Sequence, residues 1–159
     1  MSMSTAIPFS TTLHVRDNCL CLHLQRAARR VARLFDEALR GLDLTSGQFS
    51  LLMSLNRPEP PTMGSVAELL AMDRTTLTAN LKPLARRGWV ETLVDEKDKR
   101  SRRLVLTETG RAVLSKAVPI WRSVHGEIED AISADVDTFR TSLRELSSFS
   151  EQSSAEKAA

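Results

Sequence analysis

The chain carries no phosphate-binding glycine loop, no dinucleotide fingerprint, no HExxH and no GxSxG. The common catalytic frameworks are therefore missing, and neither enzymatic activity nor a cofactor is expected. Its three histidines, His14, His23 and His125, are scattered, and His125 is expected on the polar, solvated side of a helix. No apolar run approaches the roughly 18 residues of a membrane span. The N-terminus lacks a charged segment leading into an apolar one, so no secretion signal and no membrane partner are expected. The two cysteines, Cys19 and Cys21, stand too close along one helix to close a disulfide easily. Free thiols and a cytoplasmic setting follow as expectations. Tyrosine is absent and aromatics amount to 4% of the chain. Neither internal repeats nor a low-complexity linker occurs.

What is present is an ordinary apolar fraction, 42% of 159 residues, enough for one domain with a core. Net charge is only +2, but it is unevenly placed. Residues 74–103 hold nine basic and four acidic side chains, whereas residues 127–159 hold three basic and eight acidic ones. The middle of the chain is built to meet a polyanion and the tail is not.

Apolar periodicity predicts a long helix over residues 17–41, with Leu20, Leu24, Val31, Leu34 and Phe35 on one side and Arg26, Arg29, Arg30 and Arg33 elsewhere. Thr45 and Gln48 form a capping box that opens a second helix to about residue 56. Thr62 caps a short helix over residues 63–71. Asp73 caps another over residues 74–87, and Gly88 suits the position just past its end. Two apolar β-type runs then flank the charged turn DEKDKRSRR, a hairpin signal. Helices are expected over residues 108–133 and 134–149. Pro83 and Pro119 fall inside helical stretches, where each removes one hydrogen bond and favours a kink. Pro119 is a candidate hinge.

Two helices joined by a tight turn, followed by a cationic hairpin, are the layout of a winged helix-turn-helix, so double-stranded DNA is the expected partner. The face of the second helix offers Arg74, Thr75, Thr76, Thr78, Ala79 and Asn80 to base edges. Lys82, Arg86 and Arg87 follow for phosphates. The hairpin contributes Lys97, Asp98, Lys99, Arg100, Arg102 and Arg103, its tip suited to an A·T-narrowed minor groove.

These residues carry a resemblance. Asp95, Asp98, Arg100, Leu106, Thr107 and Gly110 reproduce the wing signature Asp-x-x-Asp-x-Arg … Leu-Thr-x-x-Gly of the MarR family of transcription regulators. Leu44-Thr45-x-x-Gln48-Phe49 and Leu81-x-x-Leu84-x-x-x-Gly88-Trp89-Val90 support it. The likeness spans about residues 17–149. It implies a mostly helical α+β fold, a winged helix-turn-helix with N- and C-terminal dimerisation helices. It also implies that Arg100 enters the minor groove, oriented by Asp98, and that a homodimer reads a pseudo-palindromic operator, most often as a repressor. The expected organisation is a flexible arm (1–16), a helical dimerisation region (17–40 and 108–149), a DNA-binding lobe (44–107) and a polar tail (150–159).

The residues fit three kinds of signal. A small organic effector would sit in an apolar pocket between the lobes, lined by Phe49, Met53, Trp121 and Arg26 or Arg30. Alternatively, Cys19 and Cys21 near a helix start would sense oxidants, because the helix dipole favours a thiolate there. The peroxide-sensing branch of the family supports its thiol with tyrosines, and this chain has none. Third, Cys19 and His23 at i,i+4 could hold a metal across a two-fold axis, but no metal site is assigned. A non-regulatory DNA-binding protein is the remaining alternative.

Overall fold

This computed structural model describes residues 6–157. Residues 1–5 and 158–159 of the expected arm and tail lie outside the described residues. Seven α-helices and one two-stranded antiparallel sheet are present among them: α1 (Phe9–Asn18), α2 (Leu20–Leu39), α3 (Ser46–Leu55), α4 (Met63–Leu69), α5 (Arg74–Arg86), β1 (Val90–Val94), β2 (Arg102–Leu106), α6 (Glu108–Asp130) and α7 (Val136–Lys157). A 3₁₀ turn, Arg40–Leu42, links α2 to α3.

Helix starts follow the side chains that satisfy their orphan N–H groups. Gln48 N–H donates to Thr45 Oγ1 at 3.2 Å, and Thr45 N–H donates back to Gln48 Oε1 at 3.1 Å. Ser65 N–H donates to Thr62 Oγ1 at 3.1 Å, Thr76 N–H to Asp73 Oδ1 at 2.8 Å, and Gly110 N–H to Thr107 Oγ1 at 3.1 Å. A hydroxyl cap of this kind stabilises a helix by about 1 kcal/mol. Pro83 and Pro119 sit inside α5 and α6, and both helices continue past them.

Three sequence expectations require correction. Residues 9–16, expected as part of a flexible arm, are helical within α1. The long first helix is interrupted: Cys19 is extended (φ −74°, ψ 107°), and α2 restarts at Leu20. Asn18 Nδ2 donates to His14 O at 2.9 Å and the His23 ring bonds Asp17 O at 3.1 Å, so side chains take carbonyls that an unbroken helix would use. At the other end, helical backbone runs through Lys157, where a non-helical tail was expected from residue 150.

The core lies in the middle of the chain. Leu39, Leu52, Leu77, Leu84 and Leu104 are almost wholly buried, each burial being worth roughly 1.5–3 kcal/mol. Helix α2 packs on α3 and α6 through its C-terminal half, burying only Phe35 and Leu39 of its twenty residues. No residue of α1 is buried, nor any of α7 through Phe149. Large apolar groups stand in solvent on α1, at the start of α2 and on α7: Phe9 is 72% exposed, Leu20 67% and Phe149 68%.

The hairpin pairs Val90↔Leu106 through Val94↔Arg102. Val90, Leu104 and Leu106 face the core. Its feet are closely joined to the end of α5. Gly88 adopts φ +69°, which glycine takes without strain, and its carbonyl accepts the Thr107 hydroxyl at 2.6 Å. Thr107 N–H donates to Trp89 O at 3.1 Å. The next turn of α6 passes so near that a Cβ on Gly110 would lie 2.3 Å from Trp89 O.

The hairpin is also tied to the α3–α4 loop. Leu104 N–H donates to Pro61 O at 2.9 Å, Thr62 bridges Arg103, and Arg103 Nη1 donates to Pro60 O at 2.7 Å. Arg103 Nε donates to Asp95 Oδ2 at 2.7 Å, and Asp95 is 5% exposed. The Lys97 backbone N–H, at 2.8 Å from Asp95 Oδ1, together with Arg103 holds the Asp95 carboxyl below its ordinary range, against the opposing cost of desolvation.

Two outcomes are expected. Gly110→Ala drives a Cβ into the Trp89 backbone carbonyl, which cannot rotate away as a side chain would, costing about 2–3 kcal/mol, read as a lower urea midpoint. Asp95→Asn also lowers that midpoint at neutral pH. Because the folded carboxyl titrates low, its stabilisation is complete above the ordinary aspartate value of about 3.9 and vanishes as pH falls through the depressed folded value. The deficit of Asp95→Asn therefore shrinks below about pH 4; a constant deficit from pH 3 to pH 7 would contradict this assignment.

Candidate nucleic-acid interface

Helix α5 buries Leu77, Leu81 and Leu84 against the core. Thr75, Ala79, Lys82 and Arg86 occupy the opposite face by helical spacing, and all four are exposed. The turn from α4 into α5 is short. Ala71 takes φ +50° and Met72 N–H returns to Ala67 O at 2.8 Å, which fixes the angle between the two helices. Asp73 accepts from both the Thr76 N–H and the Thr76 hydroxyl, and these bonds lower its carboxyl below the usual range.

Arg74 opens α5 but leaves its outer face. It lines a cleft of about 310 Å³ with Met63, Gly64, Asp98, Arg100, Ser101 and Arg102. Three cations from two separate elements thus converge on one concavity open to solvent. The wing turn beneath them is shaped by its own acids. Asp98 Oδ1 accepts the Arg100 backbone N–H at 2.9 Å, and Ser101 N–H donates to Asp98 O at 2.8 Å. Arg102 Nη1 donates to the carbonyls of Lys99 and Ser101 at 2.9 and 3.1 Å. Among the described residues the Arg100 guanidinium has no hydrogen bond or ion pair within the chain, and it is exposed. Asp98 was expected to orient that guanidinium. Here it bonds the Arg100 backbone instead and sets where the side chain departs.

Not every expected cation faces this surface. Arg103 is held by Asp95 and Pro60 O. Arg87 bonds Asp43 O and lies 4.8 Å over the Trp89 ring, on the side of the lobe facing the α2–α3 turn. Both tie parts of the lobe together. Thr76 and Thr78 direct their hydroxyls to Asp73 and to Arg74 O, and Asn80 Nδ2 meets Met72 Sδ at 3.6 Å. Lys82, Arg86, Lys97, Lys99 and Arg100 remain exposed. No short sequence signal distinguishes the two sets, because Pro60 and Asp43 lie far along the chain from the arginines they hold.

A second, apolar cleft of about 540 Å³ lies between α3, α4 and α6. Phe49, Met53 and Trp121 line it together, as the residues suggested, with Leu69, Leu70 and Val118. Arg26 and Arg30 do not: both are on the exposed side of α2, and the cation at the rim is Arg122, which sequence reasoning missed. Phe49 stacks on Trp121 at 6.2 Å, and Trp121 packs against His125 at 4.5 Å. His125 is therefore half-buried rather than solvated. Its Nδ1 lies 3.3 Å from Glu129, which also pairs with Arg140 of α7.

Cys19 is half-buried at the α1–α2 junction, immediately before the first residue of α2. Cys21 is exposed and accepts Gln25 Nε2 at 3.1 Å. Both are free thiols. Among the described residues no three His, Cys, Asp or Glu side chains gather as a metal site, and no helix is long and apolar enough to cross a membrane.

Residues 44–101, the span from just before α3 through the wing tip, match the model of the MarR family. The organic hydroperoxide resistance transcriptional regulator of Bacillus subtilis is 32% identical over 110 residues, 69% of this chain and 75% of that protein. The multiple antibiotic resistance protein MarR of Escherichia coli is 33% identical over 104 residues, 65% and 72% of the two chains. The transcriptional regulator MosR of M. tuberculosis, solved in complex with DNA, superposes with a TM-score of 0.77 at 36% identity, over 85% of this chain and 98% of that one. By sequence and by fold, this chain belongs to the MarR family.

Proposed function

We propose that the protein is a sequence-specific DNA-binding transcription regulator that acts as a homodimeric repressor. The observation that carries the reading is the cleft shared by Arg74 and the wing: cations of the recognition helix and of the hairpin face one concavity, and the Arg100 guanidinium has no competing partner among the described residues. Such a pair of elements fits a helix in the major groove and an arginine in the adjacent minor groove. DNA-bound relatives such as the M. tuberculosis MosR support it. The exposed apolar groups of α1, α2 and α7 support dimerisation through residues 17–40 and 108–149, with residues 44–107 as the reading lobe. A regulator of this kind belongs in the cytoplasm with its DNA.

The apolar cleft bounded by Phe49, Met53, Trp121 and Arg122 is the proposed effector site. Its size and its single rim cation fit a small organic acid. It touches α3 of the reading lobe and α6 of the dimerisation region, so an occupant could bias how the two halves sit. A thiol-based reading is favoured by one separate observation, the position of Cys19 at the N-terminus of α2, and by the hydroperoxide-resistance relative.

Arg100→Ala is expected to weaken operator binding by about tenfold or more, whereas Lys82→Ala weakens all sequences alike and reduces the salt slope by about 1. Operator affinity of Arg100→Ala within twofold of wild type would refute the role of the wing. Arg122→Gln should bind operator normally yet lose release by organic acids such as benzoate. If wild-type release instead requires peroxide and reverses with thiol, the cysteine reading replaces the effector reading.

A further inference from the structure

Of the side chains able to read a base bidentately in the first turns of α5, neither is on its outer face. Arg74 is turned into the wing cleft, where a Cβ on Gly64 would lie 3.9 Å from its Nη2. Asn80 Nδ2 is directed to Met72 Sδ. The hydroxyl hydrogens of two threonines are also committed, Thr76 to Asp73 Oδ2 at 2.6 Å and Thr78 to Arg74 O at 2.7 Å. Both hydroxyls are thereby held by the helix itself. On the outer face stand Thr75, whose hydroxyl has no partner among the described residues, and the methyl of Ala79, one turn later on the same face.

We propose that α5 reads thymine by its C5-methyl group, with Thr75 and Ala79 as the specificity-determining pair. The inference rests on the DNA-binding function argued above and adds the chemistry that the recognition helix selects. Methyl-to-methyl contact in the major groove distinguishes T·A from the other pairs without a hydrogen bond. Lys82 and Arg86, one and two turns beyond Ala79, then serve phosphates and carry no sequence information.

The test uses the intact protein and a random duplex pool. The enriched duplex is resynthesised with deoxyuridine for thymidine in each half-site, which deletes only the methyl, and separately with 7-deazaguanine for guanine. Affinities are compared by fluorescence anisotropy at fixed salt. Each methyl read by the helix should cost about fourfold on removal. Thr75→Ser, which keeps the hydroxyl, should abolish the thymidine-over-deoxyuridine preference at one position, and Thr75→Val should retain it. Equal affinity for the two duplexes, or a loss confined to 7-deazaguanine, overturns the inference while leaving a sequence-specific regulator intact. Failure of the pool to enrich any sequence removes both.

Discussion

The contact on which the lobe depends is the approach of Gly110 to the Trp89 carbonyl. There the end of the recognition helix, the foot of the wing and the start of α6 occupy one point. Gly88 turns the chain with a positive φ, Thr107 bonds the carbonyls of both Gly88 and Trp89, and the absence of a Cβ at Gly110 lets α6 close over them. The helix and the wing therefore move as one body with α6, and the cationic cleft between Arg74 and Arg100 keeps its shape because its two walls share this base. Backbone hydrogen bonds in a close-packed junction set that geometry more firmly than the surface charges it presents.

Charge in the wing divides by what each group can reach. Asp95 is buried, paired with Arg103 and bonded by the Lys97 N–H, and Arg103 in turn anchors the hairpin to the α3–α4 loop. Asp98 shapes the turn through backbone contacts. Arg100 and its neighbouring lysines are left to solvent. A tip rich in cations repels itself, and a turn held by its own hydrogen bonds resists the loosening that this repulsion favours. Pinning Asp95 and Asp98 into the turn orders the loop that carries the cations.

A line of contacts runs from the apolar cleft to the far helix: Phe49 on Trp121, Trp121 on His125, His125 beside Glu129, and Glu129 paired with Arg140. It joins α3 of the reading lobe to α7 through one face of α6. Placing aromatic rings at the cleft and an ion pair at the other end gives the wall of the proposed effector site a direct mechanical connection to helices that expose Phe139, Leu146 and Phe149.

Local chemistry was legible in the chain itself. The caps at Thr45, Thr62 and Asp73, the glycine past α5 and the apolar runs around a charged turn all act over a few residues, so spacing alone placed these helix starts and the hairpin. The interruption at Cys19 was not legible, because it depends on Asn18 and His23 winning carbonyls that a regular helix would also claim. Nor was the division of the cations. Arg87 and Arg103 look like their neighbours in sequence, but Asp43 and Pro60 reach them only after the chain has folded back over forty residues. Arg122 displaced Arg26 and Arg30 at the apolar cleft for the same reason: α2 packs on the lobe through its C-terminal half, leaving its arginine row in solvent. Short-range hydrogen-bond patterns are written in consecutive residues, whereas partners for charged groups are chosen by packing between distant segments, and only the tertiary structure decides those.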